Sequence, residues 1–334
     1  MLKMLRKWVI LSFCLVAAIS FYGCSNKNSQ EVNTADKQEV NTEDKEVNTD
    51  EKKVKVSVSF NALKEFAEAV GKDKVEVQTI ISDGIEPHDF EPKAQDLAKL
   101  SEAEIFVYNG LGMEAWADEA VKAANNEKLI VIEASEGADV ITNEEHEEEE
   151  HEEEDEHEEE EHDHGKYDPH LWLSLKGAQT EVINIKEALV KADPDNKDYY
   201  EKNCNDYISQ LENLYNEYNE KFQSLKKKTF VTGHAAFAYL CRDFGLEQNS
   251  VEDVFAEGEP SAKQLTELVE FCKENEVKTI FAEEMASPEV SKTLANEIGA
   301  GVETIYTMEN NEDDMTYLER MTANLTKIYE SLAK

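Results

Sequence analysis

The apolar residues of this chain change period again and again. VKVSVSF (54–60) is β-branched and predicts a strand, and the spacing from Ala62 to Val70 predicts a helix. KVEVQTIIS (74–82) reads as a second strand and PKAQDLAKLSEA (92–103) as a helix with Pro92 near its start. EIFVYNG (104–110) gives a third strand, EAWADEAVKAAN a helix and KLIVIEAS (128–135) a fourth strand. Strands that alternate with helices imply parallel pairing. A helix over 177–192 follows, and Asp193-Pro194 has the form of an N-cap with proline in the first turn of the next one. From about Asp195 to Leu225, Tyr200, Cys204, Tyr207, Leu211, Leu214, Tyr218, Phe222 and Leu225 fall three or four apart and form one apolar stripe. Some thirty residues at 1.5 Å each reach about 45 Å, the width of a domain or more. A second alternating block follows, with strands KTFVTGH (228–234), KTIFAEE and VETIYT separated by helices, and a closing helix over 313–333. The simplest architecture is α/β: two lobes, each a mostly parallel sheet flanked by helices, joined by one long bridging helix.

Two stretches have no such periodicity. Residues 25–53 repeat EVNT at 31, 39 and 46 and read as a disordered tether. Between the fourth strand and helix 177–192 lies NEEHEEEEHEEEDEHEEEEHDHGK (143–166), where sixteen of the twenty residues from Glu144 to Asp163 are Asp or Glu. His146, His151, His157, His162 and His164 are threaded through it, spaced five, six, five and two apart. No core can form from this composition. Metal sites on such a chain would be weak, several and interchangeable.

Charge narrows the function. The net charge is −40, and without those sixteen acids it is still −24. So negative a surface repels nucleic acid and anionic lipid and attracts cations. At the start, Lys3, Arg6 and Lys7 precede the 13-residue apolar run WVILSFCLVAAIS, too short to span a bilayer comfortably. FYGCSN then resembles a bacterial lipoprotein signal, with Phe21 where the pattern usually has Leu. The resemblance implies cleavage before Cys24, a lipid on its thiol and an extracytoplasmic protein held at the membrane. Cys204, Cys241 and Cys272 lie in apolar helical patterns without CxxC spacing, so three buried free thiols are expected. The chain thus divides into a signal peptide (1–23), a tether (24–53), an N-terminal α/β lobe (54–176) carrying the acidic loop, a helical connection (177–226) and a C-terminal α/β lobe (227–334).

Three histidines stand outside the acidic run, and each falls past the carboxyl end of an expected strand. They are His88 in SDGIEPHDFEP, His170 in YDPHLWLS and His234 after KTFVTG. Ligand sites in open parallel sheets form at those ends. Glu283 and Glu284 end the strand TIFAEE and point to the same cleft. Three imidazoles and a carboxylate make a tetrahedral set that suits Zn²⁺.

GIEPHDFEP, YNGLGMEAW, DPHLWLS, VTGHAAFAYL, EGEPSAKQL and IFAEEMASPEVSKTLANEIGA, in this order, resemble the zinc-binding lipoproteins of bacterial metal ABC transporters, the cluster A-I solute-binding proteins. The likeness runs from about residue 54 to the C-terminus. It implies two lobes bridged by a long helix, metal held between them by His88, His170 and His234, and delivery of Zn²⁺ to a membrane permease and its ATPase by a monomeric receptor that is not an enzyme. Manganese-binding relatives carry a carboxylate where His234 stands, so the histidine favours zinc. The fourth ligand is expected at Glu283, with Glu284 as its rival. The acidic run matches a His-rich insertion of the zinc members, although it is richer in Glu. The alternatives are a manganese or iron receptor, an adhesin of the same fold, and an extracytoplasmic zinc enzyme, against which stands the lack of an HExxH motif.

Overall fold

A computed structural model describes residues 52–143, 165–254, 261–283 and 288–334. Cys24, nearly all of the tether, the five loop histidines and Glu284 lie outside them.

The N-terminal sheet holds β1 (Val54–Val58), β2 (Val75–Thr79), β3 (Ile105–Tyr108) and β4 (Ile130–Glu133) in the order β2-β1-β3-β4, all parallel. The crossovers are α1 (Asn61–Gly71), α2 (Ala94–Glu102) and α3 (Ala117–Ala124). The C-terminal sheet repeats the scheme with β5 (Thr229–Thr232), β6 (Glu247–Ser250), β7 (Thr279–Glu283) and β8 (Gly301–Ile305) in the order β6-β5-β7-β8. Between the sheets run α4 (Leu175–Ala192) and the 27-residue α5 (Lys197–Gln223). The C-terminal lobe is completed by α6 (Ala238–Phe244), α7 (Ala262–Glu274), α8 (Pro288–Ile298) and α9 (Tyr317–Ala333).

The expected stripe on α5 is real. Tyr200, Cys204, Leu211, Tyr218 and Phe222 are buried, and Tyr207 and Leu214 pack beside them. One expectation at its start fails. Pro194–Asn196 form a separate 3₁₀ turn, and the Asp193 carboxylate accepts from Asn196 Nδ2 (2.7 Å) and Tyr200 Oη (2.8 Å) instead of capping the helix. Cys204, Cys241 and Cys272 are buried free thiols, as expected.

The main core does not stop at the lobe boundary. It runs from Val56, Phe66 and Val107 through Trp172, Leu173 and Tyr200 to Phe222, Phe230, Phe281 and Met321. Smaller cores lie at the flanks, under α2 and α3 in one lobe and under α7 and α8 in the other.

One group in this interior is costly. Glu181 of α4 is fully buried, and neither carboxylate oxygen has a hydrogen-bond partner among the described residues. Burial, and then the neighbouring charge of Glu114, push its pKa well above the usual carboxylate range. A folded value above the unfolded one means that the stability contribution is complete in acid and is lost as pH rises through the folded value. The metal-free protein is therefore expected to lose stability as pH climbs through the range above the ordinary carboxylate pKa, and Glu181→Leu to remove part of that loss. Urea midpoints of both proteins across this range check it, and parallel pH profiles would refute it.

Candidate metal centre

Both sheets aim the carboxyl ends of their strands at one spot. His88 sits on the loop after β2, His170 opens the turn that leads into α4, and His234 follows β5 by two residues. His170 and His234 are buried and His88 is half-buried. His170 is central: its Nε2 lies 3.1 Å from His88 Nε2 and 3.3 Å from His234 Nε2. A tetrahedral ion 2.0–2.1 Å from two nitrogens holds them about 3.3 Å apart.

The fourth group is Glu309, four residues past the end of β8. A ligand atom from each of His88, His170, His234 and Glu309 lies within 4.8 Å of all the others. Glu309 Oε2 accepts from Thr307 Oγ1 (3.0 Å), whereas Oε1 is buried without a partner among the described residues. Glu283, expected on sequence grounds as the fourth ligand, is seated on the far side of the His234 ring. Its Oε1 accepts from the His234 backbone N–H (3.1 Å) and lies 3.6 Å from His234 Nδ1, away from the converging Nε2 atoms. Gly233 makes this approach possible, because a Cβ there would collide with Glu283 Oε2.

His170 is oriented in the same way. Asp168 Oδ1 lies 2.9 Å from its Nδ1 and also accepts from its backbone N–H at 2.9 Å. A proton on Nδ1 shared with a carboxylate leaves the Nε2 lone pair free for a metal. Burial pushes Asp168 itself up to about 7, against the pull of the His170 backbone hydrogen bond.

The electrostatics divide the three rings. Burial, and then the charges of the other two histidines, hold His88 well below the ordinary histidine range, and burial with His234 does the same to His170. At His234 burial also works against the charge, but Glu283, Glu309 and Glu86 outweigh it and lift the ring to about 9. Burial and the nearby Glu86 push Glu309 up to about 8. Without metal the cluster thus keeps protons that a cation must displace.

The base of the acidic loop is tied down beside this cluster. Thr142 pairs with Tyr167 in an antiparallel bridge, Asn143 N–H donates to Lys166 O (2.8 Å) and Asp168 N–H to Ile141 O (2.9 Å).

Two parallel α/β lobes over a largely buried set of three imidazoles and a carboxylate define a metal-binding receptor of the two-lobed type. The chain belongs to the ZnuA family, zinc-uptake complex component A, periplasmic, which matches residues 56–331. A Treponema pallidum protein named for metal binding is 46% identical over 282 residues, covering 84% of this chain and 88% of that protein. The high-affinity zinc uptake system protein ZnuA of Bacillus subtilis is 42% identical over 287 residues, with 84% and 88% covered. Among solved structures, the laminin-binding protein Lmb of Streptococcus agalactiae, described as both adhesin and metal transporter, superposes with a TM-score of 0.74 at 34% identity over 84% of this chain and 99% of that one.

Proposed function

We propose that this chain captures Zn²⁺ outside the cytoplasm and delivers it to an ABC-type permease driven by its ATPase. His88, His170, His234 and Glu309 hold the ion, while Asp168 and Glu283 orient two of the rings. The observation that carries this reading is that His170 Nε2 stands at tetrahedral spacing from the Nε2 atoms of His88 and His234, with a Glu309 carboxylate oxygen within 4.8 Å of the set. Three nitrogens and one oxygen favour zinc over manganese, which prefers oxygen donors. Four protein ligands also leave a tetrahedral ion no open position for an attacking water, so the site reads as storage and not hydrolysis. Membership of a transport family supports a receptor that works with a permease, and a lipid on Cys24 would keep this monomeric receptor at the membrane.

The test is a zinc titration of the full chain and of a form lacking residues 144–164. Both are expected to bind one ion tightly, because the deletion removes no core residue and Asn143 already bonds to Lys166 beneath it. Only the full chain should take up further, weaker ions, since five imidazoles with ordinary pKa values of about 6.5 can ligate above neutral pH. Loss of tight binding in the shortened form would move the site into the loop. Equal stoichiometry would make the acidic run a plain solvated spacer.

A further inference from the structure

Glu309 belongs to the C-terminal lobe by sequence but is fastened to the other lobe. Its backbone carbonyl accepts from Asn61 N–H at the start of α1 (3.1 Å). On either side, Thr307 O accepts from Trp172 Nε1 (2.7 Å) and Asn310 Oδ1 from Gly84 N–H (2.7 Å). Between them Met308 takes a φ of 64°, a left-handed conformation that a side chain such as methionine rarely adopts without support.

The support comes from a largely buried ion pair between Glu65 and Arg320. Arg320 of α9 has no exposed surface. Its Nη1 donates to Asn310 O (2.6 Å) and lies 3.5 Å from Glu312 Oε2, while Nη2 donates to Glu65 Oε1 on α1. Glu65 also accepts from Asn61 Nδ2 (2.6 Å) and from Tyr317 N–H. Arg320 and Asn61 thus grip the consecutive carbonyls of Asn310 and Glu309, and Glu65 joins the two grips. A buried ion pair is a poor way to gain stability, because an apolar pair of similar volume is often as good or better. This one fixes the position of a strained backbone whose side chain points into the histidine cluster.

We propose that Glu65 and Arg320 are positioning residues for the metal site: by clamping residues 309 and 310 they set where the Glu309 carboxylate stands, and so the affinity for the ion, without touching it. This rests on the reading of Glu309 as the fourth ligand, and the test separates the two.

Zinc affinity is measured by chelator competition in four proteins: the parent, Glu309→Gln, the paired replacement Glu65→Met with Arg320→Met, and the triple variant. The apolar pair removes both charges of the Glu65–Arg320 contact together; because Glu312 also loses its contact with Arg320, Glu65→Gln carries the same cycle should the pair fail to fold by circular dichroism. The paired replacement is expected to weaken zinc binding by about 10- to 100-fold in the parent, the range seen when groups behind a ligand are removed, and by less than about threefold when Glu309 is already Gln. Co²⁺ bound to the paired variant should show the same change in its visible absorption as Co²⁺ bound to Glu309→Gln, a signature that a purely structural role would not produce. Unchanged affinity in the paired variant, or an equal loss in both backgrounds, overturns the proposal. If Glu309→Gln alone binds zinc as tightly as the parent, the fourth-ligand reading falls and takes the proposal with it.

Discussion

His170→Ala is expected to abolish tight zinc binding while leaving the protein folded. This ring is the centre of the cluster, with its Nε2 3.1 Å from His88 Nε2 and 3.3 Å from His234 Nε2. A four-ligand zinc site is worth about 10–16 kcal/mol, so one ligand carries roughly 3 kcal/mol. That corresponds to a loss of about a hundredfold or more in affinity. Asp168 is buried against His170, and Trp172 packs with its ring centroid 5.3 Å from that of His170. Two measurements check the outcome. Chelator competition should show the weakened binding, and the rise in melting temperature that zinc gives the parent should shrink, since ligand stabilisation follows the ratio of free metal to Kd. A variant that binds within threefold of the parent would place the tight site elsewhere.

The second large effect is on stability. Trp172→Ala should cost about 3–5 kcal/mol from the deletion of a fully buried indole, and the Thr307 carbonyl, left without its donor, should add about 1–3 kcal/mol. Trp172 is wholly buried, its ring meets Phe60 at a centroid distance of 4.7 Å, and its Nε1 donates to Thr307 O at 2.7 Å. It therefore joins α1, the turn after His170 and the segment that leads to Glu309. The total approaches the whole stability of an ordinary domain, so the variant is expected to be largely unfolded at 37 °C without metal. Urea unfolding of the metal-free protein measures the loss. Trp172→Phe separates the parts: most of the ring contact remains and only the hydrogen bond goes. Equal losses in both variants would mean that packing contributes little.

The lobes, the bridging helix and the three histidines were legible because each rests on a strong local signal. Parallel strands alternate with helices, the stripe on α5 has a clean helical period, and His88, His170 and His234 follow recognisable strand ends. Glu309 was not found, although it obeys the same rule. It lies four residues past β8, inside TMENNEDD, a run of acids that looks like any solvated loop. Its place is fixed by the bond from Asn61 to its own carbonyl and by those from Gly84 and Arg320 to Asn310, partners distant in sequence that leave no local trace. Glu283 was visible because it ends a strand, yet one position along a strand decides which side of a ring a carboxylate meets. Strand β6 was missed for a different reason. EQNS is a polar edge strand paired only to β5, and it has no apolar period to read. Asp193 was misassigned because the pattern of Asp followed by Pro is shared by an N-cap and by the short 3₁₀ turn found there.

The core that crosses from one lobe to the other bears on how an ion can be taken from this protein. Two jaws joined by a bare hinge could part freely, but here parting the lobes would expose apolar surface at about 25 cal/mol for every Å². Trp172, Tyr200 and Phe222 belong to that common interior, and α5 runs beside it for about 40 Å at 1.5 Å per residue. Shape and metal occupancy are therefore linked reciprocally. A partner that grips the molecule in a slightly spread form weakens its hold on zinc by some factor, and zinc weakens that partner's grip by the same factor. Release and docking become two readings of one free energy, which is what a carrier needs if it is to bind tightly in dilute solution and still let go at its destination.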